Sequence, residues 1–100
     1  MNIARRITLV SKTYTYDDIG QAIATEAFKY PFAWVRSASR REVDEALDGI
    51  AREYVFDVRI SEYSGEDELE YNGIRYTIYR TYVNTVSGII ELYTERRVGS

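Results

Sequence analysis

Glu62, Glu66, Asp67, Glu68 and Glu70 form the densest set of groups in the chain able to move protons or hold a cation. Paired carboxylates can serve as general acid and base, and several together can give calcium its oxygen ligands. This run lacks the spaced ligands and closing second carboxylate of a calcium loop, so it reads as a solvated acidic connection around Gly65. Ser11, Ser37, Ser39, Ser61, Ser64 and Ser87 have no histidine to activate them, because the chain contains none. It has no cysteine either, which removes disulfides, thiolate nucleophiles and cysteine–zinc sites. No glycine-rich phosphate loop occurs. The expectation is a protein with no catalytic, cofactor-binding or metal-binding residues, hence not an enzyme. A small carboxylate-dependent hydrolase built on the acidic run is the enzymatic alternative.

The tyrosines are the other unusual resource, ten in 100 residues. Tyr54, Tyr71 and Tyr76 share strand faces with aliphatic neighbours and read as core. Tyr14, Tyr16, Tyr30, Tyr79 and Tyr82 are harder to bury. A rigid amphipathic ring suits a protein interface, and it also suits base stacking in an oligonucleotide-binding barrel, the binding-module alternative. The net charge of -3 weighs against a general nucleic-acid footprint and favours the protein interface.

Strands must position these groups. Asn72-Gly73 is a strong signal for a type I′ hairpin turn, since both central residues need positive φ. It joins Leu69-Glu70-Tyr71 to a strand in which Ile74, Tyr76 and Ile78 share one face. Ser87-Gly88 turns the chain again before Ile89-Ile90-Glu91-Leu92-Tyr93, giving a three-stranded meander. Upstream, Ile7 and Leu9 point inward on a first strand that runs on towards Thr15, and Asp17-Asp18-Ile19-Gly20 supplies turn residues. Residues 21–29 permit a helix through Ala22, Ala24 and Ala27 or a strand through Ile23, Thr25 and Phe28; poor helical spacing favours an extended arm, punctuated by the only proline, Pro31. Phe32-Ala33-Trp34-Val35-Arg36 is a strand, and so is the stretch in which Tyr54, Phe56, Val58 and Ile60 alternate with polar neighbours.

Ser39 with Glu42 makes a capping box, and Val43, Ala46, Leu47 and Ile50 follow at helical spacing. The pattern predicts one lateral helix over about residues 40–49, ending near Gly49 and packing Val43, Leu47 and Ile50 on the sheet. The sum is one mainly β domain over residues 1–100, a small antiparallel barrel of about six strands with that helix. One hundred residues, 45% of them hydrophobic, suffice for one core. No apolar run approaches a bilayer-spanning length, the opening Met1-Asn2-Ile3-Ala4-Arg5-Arg6 has no signal-like apolar core, and no membrane association is expected.

The order of these features resembles the head–tail joining proteins of long-tailed bacteriophages, also called head-closure, head-completion or stopper proteins. The resemblance runs through Arg5-Arg6-Ile7-Thr8, Asp18-x-Gly20, Phe32-Ala33-Trp34-Val35-Arg36-Ser37, Ser39-x-x-Glu42-x-x-x-Ala46, Asn72-Gly73-x-x-Tyr76-x-Ile78 and Ile90-Glu91-Leu92. It implies a structural virion protein, free as a monomer in the host cytoplasm, that assembles as a ring under the portal and adaptor proteins. Such a ring closes the exit channel after genome packaging and offers a docking surface to a tail or tail-completion protein, with DNA only as passing cargo. On this reading the stretch from Tyr14 to Pro31 is the functional arm, poorly ordered in the monomer. Tyr14, Tyr16, Asp17, Asp18 and Gly20 are expected on the channel side, and Arg96 and Arg97 on the docking side. Ser39, Glu42, Leu47, Asn72 and Gly73 are expected in structural roles.

Overall fold

The structure, a computed structural model, describes residues 3–98; Met1 and Asn2 of the opening motif lie outside them. Nine strands form in chain order: β1 (Ile3–Arg6), β2 (Thr8–Tyr16), β3 (Ala22–Lys29), β4 (Phe32–Ser37), β5 (Ile50–Ala51), β6 (Tyr54–Arg59), β7 (Glu68–Tyr71), β8 (Ile74–Asn84) and β9 (Ile89–Arg97). The helix α1 is Arg40–Asp44. Eight strands make one antiparallel path in the order β1-β4-β6-β9-β8-β7-β2-β3, and short β5 adds to the far end of β9. The sheet curls into a half-barrel around Ile7, Leu9, Ala33, Phe56, Val58, Leu69, Tyr76, Ile90 and Leu92. Apart from Ile7, between β1 and β2, these are alternate inward positions of their strands, while Val10 and Val55 are buried outside this cluster.

The expected count of about six strands is exceeded for a local reason. β1 pairs with β4 and β2 with β3 in one unbroken register, and the Ile7 amide donates to the Pro31 carbonyl at 3.0 Å between the two halves. Proline has no amide to return that bond, so a single long ribbon is divided at Ile7 and Pro31. Its first half joins the sheet through β4–β6, and its second through β2–β7.

The turn at Asn72-Gly73 behaves as its sequence dictates, with φ of 53° and 77° and the register Tyr71↔Ile74 across it. A Cβ at Gly73 would meet nothing within 4 Å. The constraint is therefore torsional, and Gly73→Val should cost about 1–3 kcal/mol by forcing a β-branched residue into positive φ. Thermal melts check this, and an unchanged midpoint would mean that the turn relaxes into another type.

The helix departs from expectation. It ends at Asp44, five residues long, and the chain continues through turns in which Ala46 and Ile50 donate to the Val43 and Leu47 carbonyls. Leu47 is 75% exposed and Val43 half-exposed, so neither packs on the sheet, while Ile50 joins the sheet as a strand residue of β5. The side chain that faces the protein is Glu42, 9% exposed. Ser39 caps the helix by accepting from the Glu42 amide at 3.2 Å, but the Glu42 carboxylate contacts Tyr79 and Arg80. Leu47→Ala is accordingly expected to change stability by less than about 0.5 kcal/mol. A loss of 2 kcal/mol or more in denaturant, the scale of a core truncation, would show that Leu47 is buried in solution.

Candidate functional site

The outer half of β2–β3 leaves the body as a two-stranded arm. Both strands are exposed from Lys12 to Tyr16 and from Ala22 to Phe28, though paired residue by residue from Leu9↔Lys29 to Tyr16↔Ala22. The expected extended arm is thus a regular hairpin with its turn at residues 17–21, not a loose loop. The molecule is elongated, 51 Å against 35 and 22 Å. Its radius of gyration of 15.0 Å exceeds the roughly 13 Å of a compact chain of this length.

Cross-strand neighbours share a face, so the arm has two different sides. On one, Tyr14 lies opposite Ala24 and Tyr16 opposite Ala22. The alanines leave the rings uncovered, with Tyr14 61% and Tyr16 73% exposed. The other side carries Thr13, Thr25, Thr15 and Ile23. At the tip, Asp17 organises the turn: one carboxylate oxygen accepts from the Ile19 and Gln21 amides at 3.0 and 2.8 Å. That is the Asx device anticipated from the sequence. Asp18 and Gly20 are exposed, and Ile19, at 79% exposure, stands out at the end.

The acidic connection holds the root of this arm and is not simply solvated. Glu66 is 4% exposed. Its carboxylate accepts from the Ser64 amide at 2.6 Å and pairs with Lys29 of β3 at 2.7 Å. Burial alone would raise its pKa, but Lys29 and the Ser64 amide outweigh that and hold the carboxyl below its ordinary value. Glu68 pairs with Lys12 of β2, and Arg75 reaches Glu26 of β3 as well as Glu68 and Glu70. Each exposed pair is individually weak, yet all converge where the arm leaves the sheet. Glu62 and Asp67 remain exposed. Among the described residues, no group of three or more carboxylates gathers as a metal site would require.

Arg96 and Arg97 sit at the opposite end of the sheet, where β9 pairs with β5 through Ala51↔Arg96 and Ile50↔Arg97. They do not act alike. Arg96 is engaged with Glu53 at 2.5 Å, while Arg97 is exposed and has no carboxylate within salt-bridge distance among the described residues.

A second cluster was not legible in the sequence. On the outer face of the sheet, Arg52 lies over the Tyr79 ring at 4.0 Å and Arg80 over the Tyr93 ring at 4.1 Å. Glu42 accepts from the Tyr79 hydroxyl at 2.8 Å and from Arg80 at 2.6 Å. Arg36 joins Asp57 and Glu91, and Arg52 joins Glu95. The Tyr79 hydrogen bond, with Arg80 beside it, holds the Glu42 carboxyl below its ordinary value. Burial, with Glu42 beside it, pushes the Tyr79 phenol up to about 12. Burial raises Asp57, and Arg36 offsets only part of this. The β-bulge between Ile78 and Arg80 places Tyr79 and Arg80 beside Tyr93 and α1, and a bulge leaves little trace in hydrophobic period. These groups satisfy one another and fasten the helix, so the arm is the candidate functional site.

Among the described residues, no helix is long and apolar enough to cross a membrane. No protein-family model matches the chain, and no curated protein is similar to it at a significant level.

Proposed function

We propose that this protein is a head-closure component of a tailed-bacteriophage connector, assembling as a ring beneath the portal and adaptor and presenting a docking surface to the tail. The observation that carries the reading is the arm: a fully paired hairpin, anchored at its root by Glu66–Lys29 and the Arg75 network, that leaves Tyr14, Tyr16 and Ile19 largely exposed. Exposing such apolar area has no benefit to an isolated domain, and it suits burial against a partner. The acidic tip suits a channel through which DNA must pass, because carboxylates repel phosphate where a basic lining would retain it. Asp17 therefore faces the channel, and Arg97, with no carboxylate within salt-bridge distance among the described residues, faces the tail side.

Purified protein added to DNA-filled heads that carry portal and adaptor should bind as a ring and prevent genome leakage. Heads that bind none at micromolar protein would overturn the reading. Within the assembly, Asp17→Asn should leave the ring intact and slow genome release, whereas Arg97→Glu should give DNA-filled heads without tails. These are the cleaner probes, since asparagine keeps the side-chain oxygen that organises the turn and Arg96, unlike Arg97, also pairs with Glu53.

A further inference from the structure

The outer surface beside β4 carries a groove of opposite character to the arm tip. Trp34, Arg59, Ile60, Ser61, Ser87, Gly88 and Ile89 line a concavity of about 620 Å³. A smaller one of about 250 Å³ continues it along Phe32, Trp34, Arg59 and Glu62. Arg6 stacks on the exposed Phe32 ring at 4.4 Å and donates to the Tyr30 carbonyl. Arg59 is exposed, and among the described residues no carboxylate lies within 4.0 Å of it. Two acids stand nearby. Asp57 is held by Arg36, and Glu62 lines the smaller concavity. The surface thus offers two guanidinium groups and two partly covered aromatic rings around an apolar trough.

We propose that this groove receives the arm tip of a second copy of the chain: Ile19 enters the trough, Asp18 meets Arg59, and Tyr16 stacks against Arg59 and Trp34. Charge complementarity chooses the occupant, because the tip carries exposed Asp18 beside exposed apolar and aromatic side chains. Arginine over tyrosine or tryptophan is a favourable stack, and carboxylate–guanidinium pairs fix orientation. The chain cannot make this contact with itself. Twelve residues of largely paired strand separate Gln21 from Trp34, about 40 Å at a strand's rise. The tip would reach its own groove only by unpairing the arm. Tip and groove are different patches, so the contact is head-to-tail, the kind that closes a ring or grows a filament. It deepens the ring reading and rests on it.

The absence of cysteine in the native chain allows a clean cross-linking test. Ile19→Cys and Ser61→Cys variants, mixed at about 1 mM to populate a weak contact, should form a mixed disulfide dimer under mild oxidation. Ile19→Cys mixed with Asp48→Cys, on the remote helix side, should not. Adding Arg59→Glu to the Ser61→Cys chain should lower the yield about fivefold, the scale of one exposed charge pair reversed. Adding Asp18→Arg to the Ile19→Cys chain should then restore it. No mixed dimer above the Asp48→Cys control would overturn the contact, as would a yield indifferent to Arg59→Glu. Rings seen on the adaptor by electron microscopy without this cross-link would overturn the contact and leave the ring reading standing. The cross-link in open chains that never close on the adaptor would support the contact and overturn the ring reading.

Discussion

Truncating Phe56 to alanine is expected to remove about 3–5 kcal/mol of stability, the largest loss of any single side chain here. Phe56 is fully buried at the centre of an aromatic cluster. Its ring centroid lies 5.3 Å from Tyr71, 6.0 Å from Tyr54 and 6.1 Å from Tyr76, all tilted or edge-on. Such pairs add to area burial, and close-packed rings around a vacated site cannot collapse into it. A domain of this size has about 5–15 kcal/mol in total, so the variant should be marginal at room temperature. Equilibrium denaturant unfolding measures this directly. A loss under about 1 kcal/mol would mean that the four rings do not form a common core. The consequence reaches the arm as well, because Leu9, whose pairs are Lys29 and Leu69, belongs to the same core cluster.

The second large effect is expected at Glu42, where alanine should cost about 1–3 kcal/mol. Tyr79 and Arg80 would lose their acceptor, and α1 would lose the one side chain that faces the sheet. The pair with Arg80 is partly exposed and contributes less than a buried one, so the Tyr79 bond carries more of the loss. The pH dependence has a definite sign. The folded-state pKa of Glu42 lies below its ordinary value of 4.5, so its contribution is fully present above that value. It is lost as pH falls through the depressed folded value. Glu66, shifted the same way, adds to the acid loss and loosens the root of the arm. Asp57, shifted upward, has the opposite slope and offsets part of it. Urea midpoints measured from pH 6 down to pH 3 should fall for the native chain and fall less for Glu42→Gln. Equal slopes for both would assign the acid loss to other carboxylates.

Local interactions were readable where they are short in sequence and sufficient by themselves. Asn72 and Gly73 dictate a turn because few other residues accept positive φ, and Asp17 caps its turn through amides two and four residues away. Alternation placed Ile7, Leu9, Phe56, Val58 and Tyr76 in the core because a half-buried strand has only two faces. The mainly β, antiparallel, barrel-like form followed from these, although Pro31 and Ile7 divide the ribbon and raise the strand count. Helical spacing misled at residues 43–50. Val43, Ala46, Leu47 and Ile50 describe a stripe, but a stripe is buried only if a surface lies opposite, and the helix had already spent its contact through Glu42.

What only tertiary structure decided is which polar groups are matched. Glu66 looked like one more solvated acid until Lys29, 37 positions earlier, came within 2.7 Å. Arg96 and Arg97 looked equivalent until Glu53 engaged one of them. The arm shows the same division. Its residues were singled out from their types, yet only the pairing of tyrosine against alanine made it a regular, exposed aromatic face. Backbone preference acts between neighbours in sequence, whereas a charge or a ring takes its meaning from whatever the fold places beside it.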